Sequence, residues 1–468
     1  MSILDSLRAD GVDAALAAAA REPDRLEAVS FYNTLLEKTE LAEFATGLRE
    51  DMHARGAIFG ERLLCPFLRP HFVGREQLDL LRTAVRGVVG ACNVLAPRII
   101  STPELQEFLG LTEDERRLAA VDPGYPQLSV SSRLDSFMLG GKLRFVEYNA
   151  ECPAGIGYND VMMTAFISSP LMKEFVKHYP CQPMYTSDSL LRYLIEAYIT
   201  WGGSCPPNPT IGIIDYEGLP TRHEFEILRR FFESRGFGCL VADPRQLEYK
   251  NNKLSYKGKV INLVYRRLLT NEFLERFEVA KPVWEAYRNR DICMVNSFRS
   301  KYLHKKAIFA LLTDPRYQDG MSPEQLYAIY THVPWTRKVG DTRTTDPNQN
   351  PVNLLEFARK EQQQLVLKPN DEYGGKGIFV GWELTQSEWE NALQTAMKSY
   401  YLLQTRVEVS REHYPTWDGE KLEWGEYTVD LDPFVFDADV KGVLTRLSAT
   451  ALCNVTAGGG VVPTFILD

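Results

Sequence analysis

Four polar residues on a predicted β-hairpin are the first candidates for chemistry: Arg133, Asp135, Glu147 and Asn149. Residues two apart on a strand project from the same face, so each strand would present one pair. A three-residue loop at 140–142 would place Asp135 opposite Glu147 and Arg133 opposite Asn149, with all four side chains on one face. A two-residue loop would shift the register by one residue and put the two pairs on opposite faces.

This hairpin predicts a metal site. Two carboxylates that face each other across a strand pair repel, and a divalent cation reverses that effect. Asp135, Glu147 and Asn149 supply oxygen ligands that suit Mg²⁺, with waters and phosphate oxygens completing the octahedron. Arg133 would then stabilise the charge on a transferring phosphoryl group. The alternative interpretation is a surface hairpin in which Arg133 screens the two acids.

A glycine-rich segment far downstream is the second candidate. An apolar strand ends at Lys368, a polar turn leads to Gly374, Gly375, Lys376 and Gly377, and a second strand follows. Glycines let backbone N–H groups approach a polyphosphate, while the two lysines would neutralise its inner and outer phosphates. Because this loop joins two strands, it is neither a Walker A loop nor a dinucleotide fingerprint. The alternative is a hairpin turn with solvated lysines.

Three further segments carry weaker signals. Gln404 lies on a strand predicted for 401–409, where its amide could bind an adenine edge, although taken alone this segment indicates only an amphipathic strand. The glycine-rich segment 446–460 could be a lid or an ordinary loop. Arg266 and Arg267 could bind a carboxylate bidentately, although adjacent arginines are more often solvated.

The elements that would position these residues divide the chain into four parts. Residues 1–120 have near-helical spacing of apolar side chains, which predicts a helical N-terminal region that serves packing. Residues 121–205 contain the hairpin. Residues 206–295 follow a proline-rich linker and have a strand–helix–strand pattern, which predicts a parallel βαβ unit. Residues 296–468 contain a helix predicted for 296–312 and the glycine-loop strands.

Composition limits the classes of protein to consider. The chain has 468 residues, 44% hydrophobic and 25% charged, which is typical of a globular protein. The net charge of -9 argues against nucleic acid as the main partner. No apolar run reaches the ~20 residues of a membrane helix, and no signal peptide is recognisable. Eight scattered cysteines without a Cys-x-x-Cys pair predict reduced thiols in a cytoplasm.

Together these motifs resemble the circularly permuted ATP-grasp superfamily, which includes glutathionylspermidine synthetase and the eukaryotic type of glutathione synthetase. The motifs are Arg133-x-Asp135, Glu147-x-Asn149, the helix at 306–312, the segment 365–377 and Gln404. They occur in the permuted order, with the hairpin before the nucleotide lysines, from about residue 121 onward. The resemblance implies an α+β fold with an inserted α/β domain on the substrate side. It also implies an ATP- and Mg²⁺-dependent carboxylate–amine ligase that forms an amide through an acyl phosphate.

The resemblance implies roles for individual residues as well. Asp135, Glu147 and Asn149 would hold Mg²⁺ ions that bridge the ATP phosphates, and Arg133 would be the catalytic residue at the γ-phosphate. The nucleotide-binding residues would be Lys306, Lys368, Gly374, Gly375, Lys376, Gly377 and Gln404.

Several points stay open at this level. Lys305 could take the place of Lys306 beside the nucleotide. The expected substrates are a small-molecule or peptide carboxylate and an amine, whose identities the sequence does not specify. We expect no nucleic-acid or membrane partner, and a homodimer would be unsurprising. The alternative functions are an ATP-binding scaffold or regulator of the same fold, and a kinase that stops at a phosphorylated product.

Overall fold

The computed structural model describes residues 22–203, 206–372, 374–450 and 459–468. Residues 1–21 of the predicted N-terminal region and residues 451–458 of the predicted C-terminal glycine segment lie outside this range. The described chain mixes helices and strands throughout, which confirms the predicted α+β class.

The helices cover both the N-terminal region and the faces of the sheets. They are α1 (Glu22–Glu37), α2 (Leu41–Arg55), α3 (Arg75–Ser101), α4 (Pro103–Phe108), α5 (Glu113–Ala119), α6 (Ile156–Ser168), α7 (Pro170–Phe175), α8 (Ser187–Trp201), α9 (Arg222–Ser234), α10 (Thr270–Glu275), α11 (Phe277–Arg288), α12 (Lys301–His304), α13 (Ile308–Leu312), α14 (Pro323–His332), α15 (Leu354–Lys360) and α16 (Gln386–Lys398).

The strands form several sheets. They are β1 (Ile58–Phe59), β2 (Arg62–Leu63), β3 (His71–Gly74), β4 (Ser132–Leu139), β5 (Lys142–Asn149), β6 (Cys181–Pro183), β7 (Ile211–Ile214), β8 (Cys239–Ala242), β9 (Leu247–Lys250), β10 (Lys253–Tyr256), β11 (Lys259–Ile261), β12 (Leu263–Arg266), β13 (Cys293–Val295), β14 (Thr336–Lys338), β15 (Arg343–Thr345), β16 (Pro351–Asn353), β17 (Leu365–Pro369), β18 (Phe379–Val380), β19 (Tyr401–Thr405), β20 (Ser410–Trp417), β21 (Leu422–Phe436), β22 (Asp439–Ser448) and β23 (Gly460–Leu467).

The largest sheet contains the predicted hairpin. Its strand order is β3-β23-β22-β21-β4-β5, with β20 beside β21 and β6 beside β23. The hairpin β4–β5 is therefore joined edge to edge with the C-terminal strands, through antiparallel pairing of β4 with β21. Strand β3 of the N-terminal region pairs with β23, so the prediction that this region is helical is incomplete.

A second, smaller sheet carries the glycine loop. It has the antiparallel order β14-β19-β17-β18, and the loop joins β17 to β18, as the sequence predicts. On β17, Leu365 and Leu367 pack in one core with Trp389 of α16. Because side chains alternate along a strand, Val366 and Lys368 point to the opposite face. Burial of Trp389, which is fully enclosed, stabilises this layer by about 2–3 kcal/mol.

The α/β unit that follows the proline-rich linker has the predicted connectivity. Strands β7 and β8 are parallel and are connected through α9, which confirms the βαβ prediction. The sheet continues on the other side with β12 and β13, also parallel. The four-part domain division itself stays a prediction.

Two predicted elements are wrong in extent. The helix predicted for 296–312 is interrupted between α12 and α13, because Asn370 accepts hydrogen bonds from the backbone N–H groups of Lys306 and Ala307, at 3.0 and 2.9 Å. The strand predicted for 401–409 ends at Thr405, and the Arg406 N–H then donates outside the ladder, to the Gln364 carbonyl at 2.7 Å.

Among the described residues, α3 is the one helix long and apolar enough to cross a membrane by length and composition. Half of its most apolar stretch is buried, and it packs against α14, β22 and β3. A core helix passes the same test, so this is weak evidence for a membrane span. The predicted cytoplasmic location stays a prediction.

Candidate functional site

A cavity of about 900 Å³ lies between the large sheet and the glycine-loop sheet. The predicted site residues that line it are Arg133, Asp135, Glu147, Asn149, Lys368, Gly374, Gly375 and Gln404. The predicted residues Lys306, Lys376 and Gly377 are not among its lining residues. The structure thus brings most of the two predicted motifs to one cavity.

The hairpin turn differs from the predicted three-residue loop. Leu139 pairs directly with Lys142, so the turn contains only Gly140 and Gly141. Both glycines have positive φ, 55° and 76°, which matches the twist of a tight two-residue hairpin. The predicted three-residue loop is therefore wrong.

A β-bulge nevertheless restores the predicted pairing. Val146 has no partner in the ladder, and this extra residue shifts the register between Asp135 and the next residue. Asp135 faces Glu147, and Arg133 faces Asn149, as predicted. The register slip expected for a two-residue loop is thus cancelled, and the four side chains share one end of the hairpin.

Asp135 is the centre of a dense ionic cluster. Its Oδ1 accepts hydrogen bonds from Arg133 Nε at 2.9 Å and from Asn149 Nδ2 at 3.0 Å. Its Oδ2 accepts from an Arg446 guanidinium nitrogen at 2.6 Å. Burial alone would raise the pKa of Asp135, but the two arginines outweigh it and lower the pKa to about 2. This carboxylate is therefore ionised at neutral pH.

Sequence reasoning missed two acids in this cluster, Asp430 and Asp432. They flank Leu431 on β21 and so share a face, and Arg446 pairs with Asp430 in the ladder and contacts both acids. Carboxylate oxygens of Asp135, Asp430 and Asp432 all lie within 4.8 Å of one another. Burial raises the pKa of Asp430 and of Asp432. The available signal was the Asp-Leu-Asp alternation inside an otherwise apolar strand.

Lys306, and not Lys305, lies beside the hairpin. Its Nζ is 2.8 Å from Glu147 Oε1 and donates to the Glu372 carbonyl at 2.6 Å. Lys305 is turned the other way, with its Nζ 2.9 Å from Glu115. Burial opposes ionisation of Glu147, but Lys306 outweighs it and lowers the pKa of Glu147.

Lys368 reaches across from the glycine-loop sheet to the hairpin. Its Nζ donates to the carbonyl of Val146, the bulge residue, at 3.2 Å. Burial lowers the pKa of Lys368 to about 8, an effect that Glu147 opposes and Lys306 reinforces. The ammonium group is therefore mostly protonated at neutral pH and lines the cavity.

The glycine loop has the backbone that its composition predicts. Gly374, Gly375 and Gly377 all have positive φ, between 71° and 75°, a region that side chains with a Cβ rarely adopt. Lys376 points to solvent, with 80% of its side chain exposed and Glu372 3.9 Å away. Its predicted position near an outer phosphate stays a prediction.

A row of three residues crosses the small sheet on the cavity side. Val366 pairs with Val380 on one neighbouring strand and with Gln404 on the other. Gln404 Nε2 donates to Thr336 Oγ1 at 3.1 Å, which fixes the amide. Two apolar side chains beside an oriented amide could hold a flat heterocycle. We call this row the heterocycle slot.

The paired arginines are buried, so the solvated alternative is wrong for both. Arg266 donates to the Asn296 carbonyl at 2.9 Å and is 1% exposed, which makes it part of the core. Arg267 lines the cavity, donates to the Pro153 carbonyl at 2.8 Å, and lies 3.6 Å from Glu224. Of the two, only Arg267 could meet a substrate.

Comparison with known proteins supports the fold. No family model matches the sequence, and no curated protein matches it. A glutathione synthetase-like effector from Globodera pallida, solved in its apo form, has a similar structure at 14% identity, with a TM-score of 0.56 over 91% of this chain and 97% of that chain. A proposed gamma-glutamylcysteine synthetase from Methylobacillus flagellatus KT has a TM-score of 0.41 at 11% identity, over 80% of this chain and 88% of that chain. The first comparison shows a glutathione synthetase-like fold, and the second is too distant to support an argument.

Proposed function

We propose that this chain is an ATP-dependent carboxylate–amine ligase of the circularly permuted ATP-grasp type. One observation carries the proposal: Arg133, Glu147 and Asn149 line the same cavity as Lys368 and Gln404, which come from a different sheet. Lys368 even donates to the hairpin backbone, although the two bonded residues are 222 positions apart in sequence. Acidic, cationic and heterocycle-binding groups in one cavity are what a metal–nucleotide complex requires.

The hairpin residues fit a magnesium ion by the chemistry of their donors. Glu147 and Asn149 line the cavity with oxygen-bearing side chains, and Asp135 would join them once the ion replaces one arginine contact. Asp430 Oδ1 nearby is buried without a hydrogen-bond partner among the described residues, so the cluster has unused acceptor capacity. When bound, magnesium would neutralise part of the charge on the ATP phosphates.

The nucleotide would lie across the two sheets. Its adenine would enter the heterocycle slot beside Gln404, and its phosphates would extend past Lys368 toward the glycine loop and Arg133. Lys306 would contribute positive charge from behind Glu147, 2.8 Å away. The α/β unit at 206–295 would be the inserted domain on the substrate side.

The proposed reaction has two steps. A carboxylate oxygen of the acid attacks the γ-phosphorus, and the bond to the departing ADP oxygen breaks. The amine nitrogen then attacks the acyl carbon, the carbon–oxygen bond to phosphate breaks, and the nitrogen releases its proton to solvent. Arg133 would stabilise charge on the transferring phosphoryl group. This chemistry requires positioning and electrostatics, and no nucleophilic side chain.

Trapping with hydroxylamine tests the proposal. The purified chain would be incubated with Mg-ATP, pooled carboxylic acids and hydroxylamine, and ADP and acyl hydroxamate would be measured together. We expect equal amounts of both, dependent on magnesium. A stable phosphorylated product without hydroxamate would favour a kinase, and ATP binding without ADP release would favour a scaffold or regulator.

The predicted amine co-substrate and the homodimer stay part of this proposal. Repeating the assay with amines in place of hydroxylamine would identify the second substrate by mass spectrometry of the amide product.

A further inference from the structure

The cavity has a second apolar region besides the heterocycle slot. On the large sheet, Leu444 lies two residues from Arg446, and Val461 pairs with Arg446 from the neighbouring strand. The Val461 N–H donates to the Leu64 carbonyl at 3.1 Å, which holds Leu64 beside them. All of these residues except Arg446 are at most 3% exposed, and all four line the cavity.

The ribbon β1–β2 extends this region toward the α/β unit. The Gly60 N–H donates to the Pro220 carbonyl at 3.0 Å, and Tyr158 donates to the Ile58 carbonyl at 2.8 Å. Phe59 and Leu219 line the cavity at this junction. We define the apolar wall as Phe59, Leu64, Tyr158, Leu219, Leu444 and Val461.

The apolar wall begins directly beside Arg133. Arg133 donates to the Ala154 carbonyl at 3.0 Å, and the next residue, Gly155, approaches Leu444 so closely that an added Cβ would lie 2.8 Å from Leu444 Cδ2. A group bound at Arg133 therefore has the wall next to it. A nucleotide in the heterocycle slot would leave this wall uncovered, because the slot belongs to the other sheet.

We propose that the apolar wall binds the body of the carboxylic acid substrate, which is therefore an acid with an aliphatic or aromatic body. This inference rests on the proposed function, because that function places the reacting carboxylate beside Arg133. An acid whose body carries a second carboxylate would have to bury that charge against the wall, which is costly. Arg267 lines the same cavity, but it already lies 3.6 Å from Glu224 and donates to the Pro153 carbonyl, so it does not offset that cost. Transfer of an aliphatic or phenyl body from water onto the apolar wall is favourable.

Equilibrium binding tests the proposal without requiring turnover. Calorimetry would compare 3-phenylpropanoate and 4-methylpentanoate with glutarate and succinate, using the full chain saturated with magnesium and a non-hydrolysable ATP analogue. We expect the two apolar acids to bind at least tenfold more tightly than the two diacids. Equal or tighter binding of the diacids would overturn the proposal.

Matched truncations assign the effect to the wall. Leu219→Ala should weaken binding of 3-phenylpropanoate roughly tenfold and leave binding of the ATP analogue within twofold, and Ile378→Ala, near the slot, should do the reverse. Phe59→Ala, on a half-buried ribbon, is a second wall variant in case Leu219→Ala folds poorly. If both wall variants leave acid binding unchanged, the proposal is wrong. Tight binding of the apolar acids without hydroxamate formation would contradict the proposed function and still support the wall.

Discussion

Two groups of charged residues of similar composition lie a short distance apart and differ in access. The cavity cluster consists of Arg133, Asp135, Glu147, Lys306 and Lys368. The buried network consists of Glu115, Glu151, Lys301, Lys305 and Asp371. In the buried network, Lys305 lies 2.9 Å from Glu115 and 2.6 Å from Asp371, while Lys301 lies 3.2 Å from Glu151 and 2.7 Å from Asp371.

None of the five residues of the buried network lines the cavity, whereas four of the five residues of the cavity cluster do, Lys306 being the exception. Both lysines of the network and its two glutamates have side chains at most 4% exposed, and they bind one another across three segments of the chain. Asp371, at the edge of the network, is 27% exposed, but it too lies outside the cavity, whereas the cavity cluster lies against about 900 Å³ of space. Charge alone therefore does not define a site here, since a charged network away from the cavity serves cohesion and one that lines the cavity can bind a ligand.

The largest effect is expected in the cavity cluster. Glu147→Gln keeps the shape of the side chain and removes its charge, so we expect ATP turnover to fall roughly a thousandfold. The free energy of unfolding should change by about 1 kcal/mol or less, because Glu147 is partly exposed. Steady-state ADP release and urea denaturation measure the two quantities.

Glu426→Gln is the matched control for this change. Glu426 is 48% exposed and pairs with Arg411 on the surface. Its replacement should leave turnover within twofold. Unchanged turnover in Glu147→Gln would place the chemistry elsewhere.

Lys305 and Lys306 are adjacent in sequence but belong to different clusters, so replacing each of them gives the sharpest contrast between the two. Lys305→Met leaves Glu115 and Asp371 short of a buried partner, so we expect unfolding free energy to fall by about 3 kcal/mol. Lys306→Met should cost less, about 1–2 kcal/mol, because Glu147 is 23% exposed and still has Lys368 nearby, and it should raise KM for ATP at least tenfold. Denaturant titration and initial-rate kinetics on both variants measure this contrast. Equal loss of stability in the two variants would remove the distinction between the networks.

The pH dependence of nucleotide use should reflect Lys368. Burial lowers its pKa to about 8, so the lysine is charged below that pH and neutral above it. Because only the charged form attracts phosphate, kcat/KM for ATP should fall as pH rises through about 8, by roughly tenfold per unit well above it. Lys368→Arg, which keeps its charge at all these pH values, should flatten the profile. An unchanged inflection in that variant would assign it to another group.

The smallest effect is expected for Lys376→Ala. This lysine is 80% exposed and does not line the cavity, although sequence reasoning assigned it to the nucleotide. We expect KM for ATP to change less than threefold. A loss comparable to that of Lys306→Met would mean that the glycine loop closes over bound nucleotide and carries Lys376 with it.

The hairpin illustrates how far sequence reasoning reached. The spacing predicted the pairing of Asp135 with Glu147 correctly, but it assumed a three-residue turn. The structure has a two-residue turn, and the bulge at Val146 restores the same pairing. A bulge depends on the neighbouring strand and on the lysine that binds its carbonyl, and both lie far along the chain. Local pattern does not contain that information.

The remaining differences have the same physical origin. The sequence predicted Lys306 beside the nucleotide but left Lys305 as an alternative, because the divergence of the two side chains depends on Asn370, which interrupts the helix. The sequence also predicted that residues 1–120 serve only packing. In the structure, β3 pairs with the C-terminal strand β23, and Phe59 and Leu64 line the cavity. Alternation along a strand predicts which side chains share a face, but tertiary contacts determine what that face packs against.

A crystal structure with Mg²⁺ and a non-hydrolysable ATP analogue would show whether the two sheets bind one metal–nucleotide complex between them. We expect magnesium bound to Glu147 and Asn149, phosphates against Lys368 and the adenine in the heterocycle slot between Val366 and Gln404. A nucleotide outside this cavity, or a metal that contacts neither Glu147 nor Asn149, would contradict it.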